Sequence, residues 1–282
     1  MKIVGNIRKC ADTDIVLDSG VESVNLCMES YITNLWSVKE VPVSSITIDV
    51  EGVTLNTLLY TLCGDQGRSD FSRRIFEDVL LVAQHFGEEQ NRDVTVIITM
   101  SEKIPRVGYL EVAEMLDDYL GKCSKVCIAL ENPPIFTNAG ELNSACDPNT
   151  VPKFVEDMRA IISNGDRLKV AFDFENALKT IRAKNSVFSR FDMELYDIVE
   201  YMSSICKVAD IIRFSYPLGY GVGEFGRRGF PEKVFPRFWK IIRNYIHEDA
   251  ELIIETGDKL YKGEGGLSKM IELIETWEKE FG

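Results

Sequence analysis

The sequence has little positive charge and very little histidine. Lysine and arginine number 32 against 45 aspartates and glutamates, so the net charge is −13 at pH 7. An acidic surface repels phosphate backbones, which makes duplex DNA or RNA a poor partner. Both histidines, His85 and His247, lie inside helical patterns, and we expect them to be surface or packing residues. A metal-dependent nuclease, which needs a histidine cluster and a basic face, is therefore disfavoured.

Long hydrophobic runs and paired metal ligands are also missing. No segment reaches the ~18 apolar residues that suggest a membrane span, and the N-terminus lacks the apolar region of a signal peptide. The seven cysteines are scattered. Cys123 and Cys127 have no second Cys or His pair nearby to complete a zinc site. We expect reduced, partly buried thiols and a cytoplasmic protein.

What the sequence does have is a regular alternation of strand-like and helix-like segments. The strand-like runs are rich in valine and isoleucine and mostly continuous, which is typical of strands covered on the outside by helices. They span residues 2–6, 23–28, 45–51, 94–100, 126–131, 168–174, 210–215 and 251–256. Eight such units with no linker or internal repeat predict an α/β fold, a single (β/α)8 TIM barrel, in one domain spanning residues 1–282.

Helical periodicity fills most of the segments between these runs. The predicted helices cover residues 71–89, 109–120, 150–163, 191–206, 236–246 and 267–281. The N-terminal third is less regular: residues 12–19 would form a very short helix, and residues 29–42 form a brief helix or a loop. Two long loops, 132–148 and 216–236, follow strands that end in polar residues, and long loops in a compact domain are usually functional.

Four of the apolar runs end in a charged side chain that a buried strand would not select. Glu131, Asp173, Arg213 and Glu255 lie at the ends of the fifth, sixth, seventh and eighth predicted strands. The carboxyl ends of the strands of a parallel barrel share one face, where its active site lies. We therefore expect three carboxylates and one guanidinium to converge there.

Alternatives stay open at three of these positions. Glu131 is a metal ligand, a general base or simply part of a salt bridge at the barrel mouth. Alternation turns Asp173 into the barrel, but Glu175 has the same parity and competes with it. Asp258 lies in the loop after Glu255, and we favour Glu255 because the apolar run stops there.

Further polar residues lie beside these strand ends and are candidate ligand contacts. Asn132 follows Glu131, and Asn176 either contacts a ligand or caps the following segment. The loop 219–229 carries five glycines with Arg227 and Arg228, which suits a lid that grips an anionic ligand such as a phosphate, or else a solvated loop. The glycine-rich segment 262–266 is a second candidate phosphate site.

These motifs resemble one known group. Leu-Glu-Asn at 130–132, Phe-Asp at 172–173 and Ile-Glu-Thr at 254–256 look like the xylose isomerase-like TIM-barrel superfamily, which includes sugar phosphate isomerases, epimerases and AP endonuclease-type enzymes. The resemblance covers most of residues 94–282. It implies that Glu131, Asp173 and Glu255 take the positions of the superfamily's metal-binding carboxylates. The superfamily's histidines after strands three and four are absent, and Arg213 stands where strand seven carries a histidine.

The arginine changes the expected chemistry of the site. A guanidinium cannot deprotonate to make room for a dication, and Arg213 can instead bind two carboxylates. Two alternatives follow: Glu131, Asp173 and Glu255 bind one Mg²⁺ or Mn²⁺ through oxygen alone, or the site holds no metal.

The resemblance implies a sugar or sugar phosphate isomerase or epimerase that uses carboxylate acid–base chemistry at the barrel mouth. Glu131 and Glu255 would be the base and the acid, and Asp173 would orient a metal or a hydroxyl. Arg213 would polarise the oxyanion or hold the carboxylates. The alternative is a catalytically silent barrel that binds a small molecule or a protein partner. In both cases we expect a carbohydrate or anionic ligand; the oligomeric state is left open.

Overall fold

The computed structural model describes residues 1–8, 13–28, 41–136, 142–188, 194–216, 239–240, 243–256 and 266–281. Eight parallel strands form a closed barrel in chain order, with β1 paired to both β2 and β8. The strands are β1 Lys2–Ile7, β2 Val24–Met28, β3 Val43–Ile48, β4 Val94–Thr99, β5 Val126–Glu131, β6 Leu168–Asp173, β7 Ile211–Tyr216 and β8 Glu251–Thr256. The predicted single (β/α)8 TIM barrel is confirmed.

Helices cover the outside of this barrel. They are α1 Thr13–Asp18, α2 Tyr60–Cys63, α3 Gln66–Gln90, α4 Tyr109–Lys122, α5 Thr150–Arg159, α6 Phe174–Phe188, α7 Glu194–Ile205 and α8 Gly266–Phe281. The longest, α3, begins at Asp65, whose carboxylate accepts a hydrogen bond from the backbone N–H of Arg68 (3.1 Å), and it ends at Asn91 in the left-handed conformation. Its apolar face packs Phe76 and Phe86 against the strands.

Two hydrophobic layers hold the barrel together. The larger lies between the strands and the helices. The smaller fills the barrel interior and consists of Val4, Ile97, Ala129, Ala171, Ile211 and Ile253. Because side chains alternate along a strand, the residue two positions further on also points inward. On β5 to β8 those residues are the four charged ones, so the interior layer forms the floor beneath them.

Two helices, α2 and α6, are absent from the sequence prediction. The sixth strand is predicted to run to residue 174, but β6 ends at Asp173 and α6 begins at Phe174. Asp173 itself starts the helix, since its Oδ1 accepts a hydrogen bond from the backbone N–H of Asn176 (2.9 Å). The third strand also ends earlier than predicted, at Ile48.

Other expectations about the chain have mixed outcomes. Trp239 is fully buried. The cysteines in the described residues are free, namely Cys27, Cys63, Cys123, Cys127, Cys146 and Cys206. No helix in the described ranges is long and apolar enough to cross a membrane. Residues 29–40, 217–238 and 257–265 lie outside the described residues. These include the predicted lid and the start of the predicted helix 236–246, of which residues 241 and 242 are also not described.

Candidate active site

The structure brings the four charged strand ends together around the guanidinium of Arg213. Its Nη1 donates to both oxygens of Glu131 (2.9 and 2.8 Å) and lies 3.4 Å from Oδ2 of Asp173. Its Nε and Nη2 donate to Oε1 of Glu255 (3.1 and 2.6 Å). All four residues are at most 7% exposed. The guanidinium therefore lies between Glu131 and Glu255 and contacts all three carboxylates.

Asn132 ties the end of β5 to the end of β6. Its Oδ1 accepts a hydrogen bond from the backbone N–H of Asp173 (2.7 Å), and its Nδ2 donates to the backbone carbonyl of Asp173 (3.1 Å). Asn176 donates from Nδ2 to the carbonyl of Asn132 (3.1 Å). Both asparagines thus fix the direction of Asp173. Their predicted contact with a ligand stays a prediction.

Glu255 has additional donors from β1 and the residue after it. Asn6 donates from Nδ2 to Oε1 (3.3 Å), and Nη2 of Arg8 lies 3.5 Å from Oε2. Neither donor was singled out in the sequence, although Asn6 is an inward-facing polar residue two positions after Val4. Three further buried polar residues were missed, and they continue this network into the barrel: Asn25, Ser45 and Thr47.

The ionisation of this cluster follows from its burial. Burial, together with the charges of Asp173 and Glu255, raises the pKa of Glu131 to about 8, although Arg213 opposes the shift. Burial likewise raises the pKa of Asp173 to about 6. Burial works against the charge of Arg213, but the three carboxylates outweigh it and raise its pKa. Of these two carboxyl groups, Glu131 has the more strongly raised pKa.

Cys27 is a buried thiol on β2 beside this cluster. Its Sγ lies 4.0 Å from Oδ2 of Asp49. Burial raises the pKa of this thiol strongly, and the charge of Arg213 only partly offsets that effect. The thiol is therefore protonated and does not act as a nucleophile near neutral pH.

Solved structures with the same architecture match this barrel along nearly its whole length. A xylose isomerase domain protein from Planctomyces limnophilus has a TM-score of 0.60 at 12% identity, covering 99% of this chain and 98% of that one. A D-allulose 3-epimerase from Methylomonas sp. has a TM-score of 0.57 at 10% identity, covering 98% of both chains. A protein from Sinorhizobium meliloti 1021 has a TM-score of 0.52 at 11% identity, covering 99% and 98%.

This chain has the xylose isomerase-like TIM-barrel fold. The resemblance predicted from the strand-end motifs is confirmed at the level of the fold, because identities this low carry no more than that. No protein-family model matches the sequence. No curated protein matches it.

Arg213 on β7 determines whether the carboxylates of this xylose isomerase-like barrel can bind a metal ion. Among the described residues, no three His, Cys, Asp or Glu side chains are arranged to hold a metal ion. The guanidinium of Arg213 lies between the carboxylates instead, and it carries a permanent charge. The donor set does not fit a dication while Arg213 is there. Binding of Mg²⁺ or Mn²⁺ by Glu131, Asp173 and Glu255 stays a prediction that requires Arg213 to move.

The remaining candidates of the sequence lie away from the cluster or outside the described residues. Glu175, the alternative to Asp173, is on α6 and forms an ion pair with Lys179 (3.0 Å). As predicted, both histidines are surface residues: His85 lies beside Glu89 on α3, and His247 lies beside Asp249. The other candidates fall outside the described residues: Arg227, Arg228, Asp258 and residues 262–265.

Proposed function

We propose that the protein is a sugar or sugar phosphate isomerase/epimerase-like enzyme that uses carboxylate acid–base chemistry at the barrel mouth. One observation supports this proposal above the others. Arg213 lies between two buried carboxyl groups, Glu131 and Glu255, that differ sharply in their hydrogen-bond donors. Paired titratable groups whose environments push their proton affinities apart are typical of acid–base catalysis.

The environments of the two carboxyl groups support the reverse of the roles expected from the sequence, with Glu131 as the acid and Glu255 as the base. Glu131 is buried and receives hydrogen bonds from a single nitrogen of Arg213, so it retains its proton and acts as the acid. Glu255 faces Arg213, Arg8 and Asn6, which stabilise a carboxylate, so it acts as the base. Asp173 orients Arg213 or a substrate hydroxyl.

The proton transfers balance in an epimerisation. Glu255 accepts the proton from the carbon beside the substrate carbonyl. The electron pair of that C–H bond forms a C=C bond, and the π pair of the carbonyl moves to its oxygen. The N–H groups of Arg213 stabilise the resulting oxyanion. Glu131 then donates its proton to the opposite face of the same carbon as the carbonyl reforms. An isomerisation would follow if the proton went to the former carbonyl carbon, while the hydroxyl proton on the first carbon moved to the oxyanion and a carbonyl formed at the first carbon.

Exchange of substrate hydrogen with solvent tests this proposal directly. The purified protein, analysed for bound metals before use, is incubated in D₂O with a panel of ketoses, aldoses and their phosphates, with and without Mg²⁺, Mn²⁺ or Co²⁺. Deuterium should appear at the carbon beside the carbonyl, and Glu255→Gln should abolish it. Lys122→Met, on an exposed ion pair, is the matched control. Absence of exchange on every carbonyl substrate, together with unchanged ligand binding by Glu131→Gln, contradicts the proposal.

A second candidate, a catalytically silent binding barrel, is favoured by the saturation of the site. Arg213 already contacts all three carboxylates, as expected for a cluster that serves structure rather than proton transfer. Calorimetric binding of a polyol or a small anion without deuterium exchange would select this candidate.

A further inference from the structure

The N-terminal end of the barrel interior contains charged side chains below the apolar layer that fills it. The residue two positions before an inward-facing residue of a strand also points inward. On β1, β6 and β8 these residues are Lys2, Lys169 and Glu251. Lys2 forms an ion pair with Glu251 (3.2 Å), and Lys169 donates from Nζ to the hydroxyl of Thr95 (3.3 Å). These charges lie at the end of the barrel opposite the mouth that holds Arg213.

Arg92 reaches the same region from the turn before β4. Its guanidinium interacts electrostatically with Glu251 on β8, and β4 and β8 lie on opposite sides of the closed barrel. A side chain from the start of β4 comes close to Glu251 by passing across the N-terminal opening. The interior of an eight-stranded barrel is only just wide enough for side chains. The guanidinium of Arg92 therefore shares this narrow space with the ammonium group of Lys169.

Two nitrogens of the Arg92 guanidinium are buried without an acceptor. Nε and Nη2 have no hydrogen-bond partner among the described residues, and a buried charged donor without an acceptor is costly. Burial also lowers the pKa of Arg92, although Glu251 opposes the shift. Nε and Nη2 form the edge of a guanidinium that presents two parallel N–H groups to a carboxylate or a phosphate. In Arg213 the same edge donates to Oε1 of Glu255.

The charges around this edge of Arg92 favour an anion. The charged groups at this end of the barrel interior are the cations of Lys2, Arg92 and Lys169 and the carboxylate of Glu251. The carboxylate is already paired with a lysine, and Lys169 forms no ion pair in the part of the chain that the structure describes. Asp93 and Asp166 act electrostatically on the neighbouring Cys127. Both are exposed, however, and neither pairs with a cation of this group. An excess of positive charge is left.

We propose that Nε and Nη2 of Arg92, together with the ammonium group of Lys169, form an oxoanion-binding site at the N-terminal end of the barrel. The ligand is a small oxoanion with two adjacent oxygens, a carboxylate or a phosphate, because such a group accepts from both N–H groups at once. A ligand that binds the folded chain alone also stabilises it. The site lies at the opposite end of the barrel from Arg213, so it does not depend on the proposed function.

Isothermal titration calorimetry with inorganic phosphate, sulfate and acetate tests the site. The full chain is dialysed into a Tris–chloride buffer, which contains no oxoanion, and the ionic strength is kept constant. At least one of these anions should bind at about one equivalent, and the phosphate and acetate titrations distinguish a phosphate from a carboxylate ligand. Arg92→Met should weaken binding by at least about tenfold, because two charge-assisted hydrogen bonds are lost. Arg74→Met removes an exposed arginine of α3 and should bind like the unmodified protein.

Two further variants cover the case in which Arg92→Met does not fold. Arg92→Lys keeps the charge but cannot present two parallel N–H groups, so it should also lose at least about tenfold in affinity. Lys169→Met removes the second cation and should weaken binding by at least about threefold. The proposal is overturned if the unmodified protein binds none of the three anions, if a folded Arg92 or Lys169 variant binds with unchanged affinity, or if Arg74→Met loses as much affinity as Arg92→Met.

Discussion

Replacement of Arg213 by methionine would remove the cation that contacts all three buried carboxylates while keeping an unbranched side chain about as long as the aliphatic part of arginine. In the native cluster Glu131, Asp173 and Glu255 lie 2.6 to 3.4 Å from its nitrogens. Without it, three acidic groups share one water-poor pocket. They then either repel one another as anions or take up protons.

The magnitude follows from the cost of leaving a buried charge unpaired. Removal of one partner of a buried ion pair destabilises a protein by about 3–5 kcal/mol. We expect the upper end here, because one guanidinium serves three carboxylates. At roughly 2–4 °C per kcal/mol for a chain of about this size, the melting temperature should fall by roughly 10–20 °C at pH 8.

The pH dependence distinguishes this explanation from a simple packing defect. A carboxyl group whose pKa is raised in the folded state destabilises that state most at pH values above its folded pKa. This destabilisation fades as the pH falls through the folded pKa. The fall in melting temperature caused by Arg213→Met should therefore be clearly smaller at pH 5 than at pH 8. Thermal unfolding followed by circular dichroism at both pH values measures it, with Lys122→Met as the control. Equal falls in melting temperature at both pH values, or a fall of less than about 2 °C at pH 8, would refute the reasoning.

Three further predictions concern single residues of the same cluster. Arg213→His places an imidazole among three carboxylates and should take up about one equivalent of Mn²⁺ or Co²⁺ by elemental analysis; a metal content equal to that of the unmodified protein contradicts this. The free energy of unfolding should fall as the pH rises from about 4.5 to about 8, because folded Glu131 keeps a proton that the unfolded chain has lost. Urea unfolding of Glu131→Gln should show a weaker dependence of this free energy on pH, and an unchanged dependence contradicts the prediction. Asn132→Leu leaves the backbone N–H and C=O of Asp173 without their partners and should cost about 3 kcal/mol in urea unfolding; a loss under about 1 kcal/mol would show that other groups satisfy them.

The eight strands could be predicted from their continuous runs rich in valine and isoleucine. The charged half of the site could be predicted from the residues at which four of these runs end. Glu131, Asp173, Arg213 and Glu255 each interrupt an apolar run, and a charge at the end of a buried strand is conspicuous. The helix α6 was not readable, because Asp173 is both the last residue of β6 and the N-cap of the helix. With no residues between the two elements, no turn signal separates them.

The other half of the site was hidden because its residues are neutral. Asn6, Asn25, Ser45 and Thr47 fit many environments, and serine and threonine are ordinary strand residues. Their inward direction depends on the pairing register, and the register between β2 and β3 shifts between Val24 and Asn25. Parity counted along the sequence alone does not reveal which of these polar side chains meet.

Under the proposed function, the charges at the barrel mouth would influence which sugars bind there. If Glu131 is protonated as proposed, the negative charges of Asp173 and Glu255 face the positive charges of Arg213 and Arg8, and the cluster is close to neutral. Asp49 lies beside it and adds negative charge. A phosphate would therefore find no net attraction from the described residues of this cluster. Under the proposed function they would favour an uncharged carbohydrate, and a preference for a phosphorylated one would depend on other cations, such as those of Arg227 and Arg228.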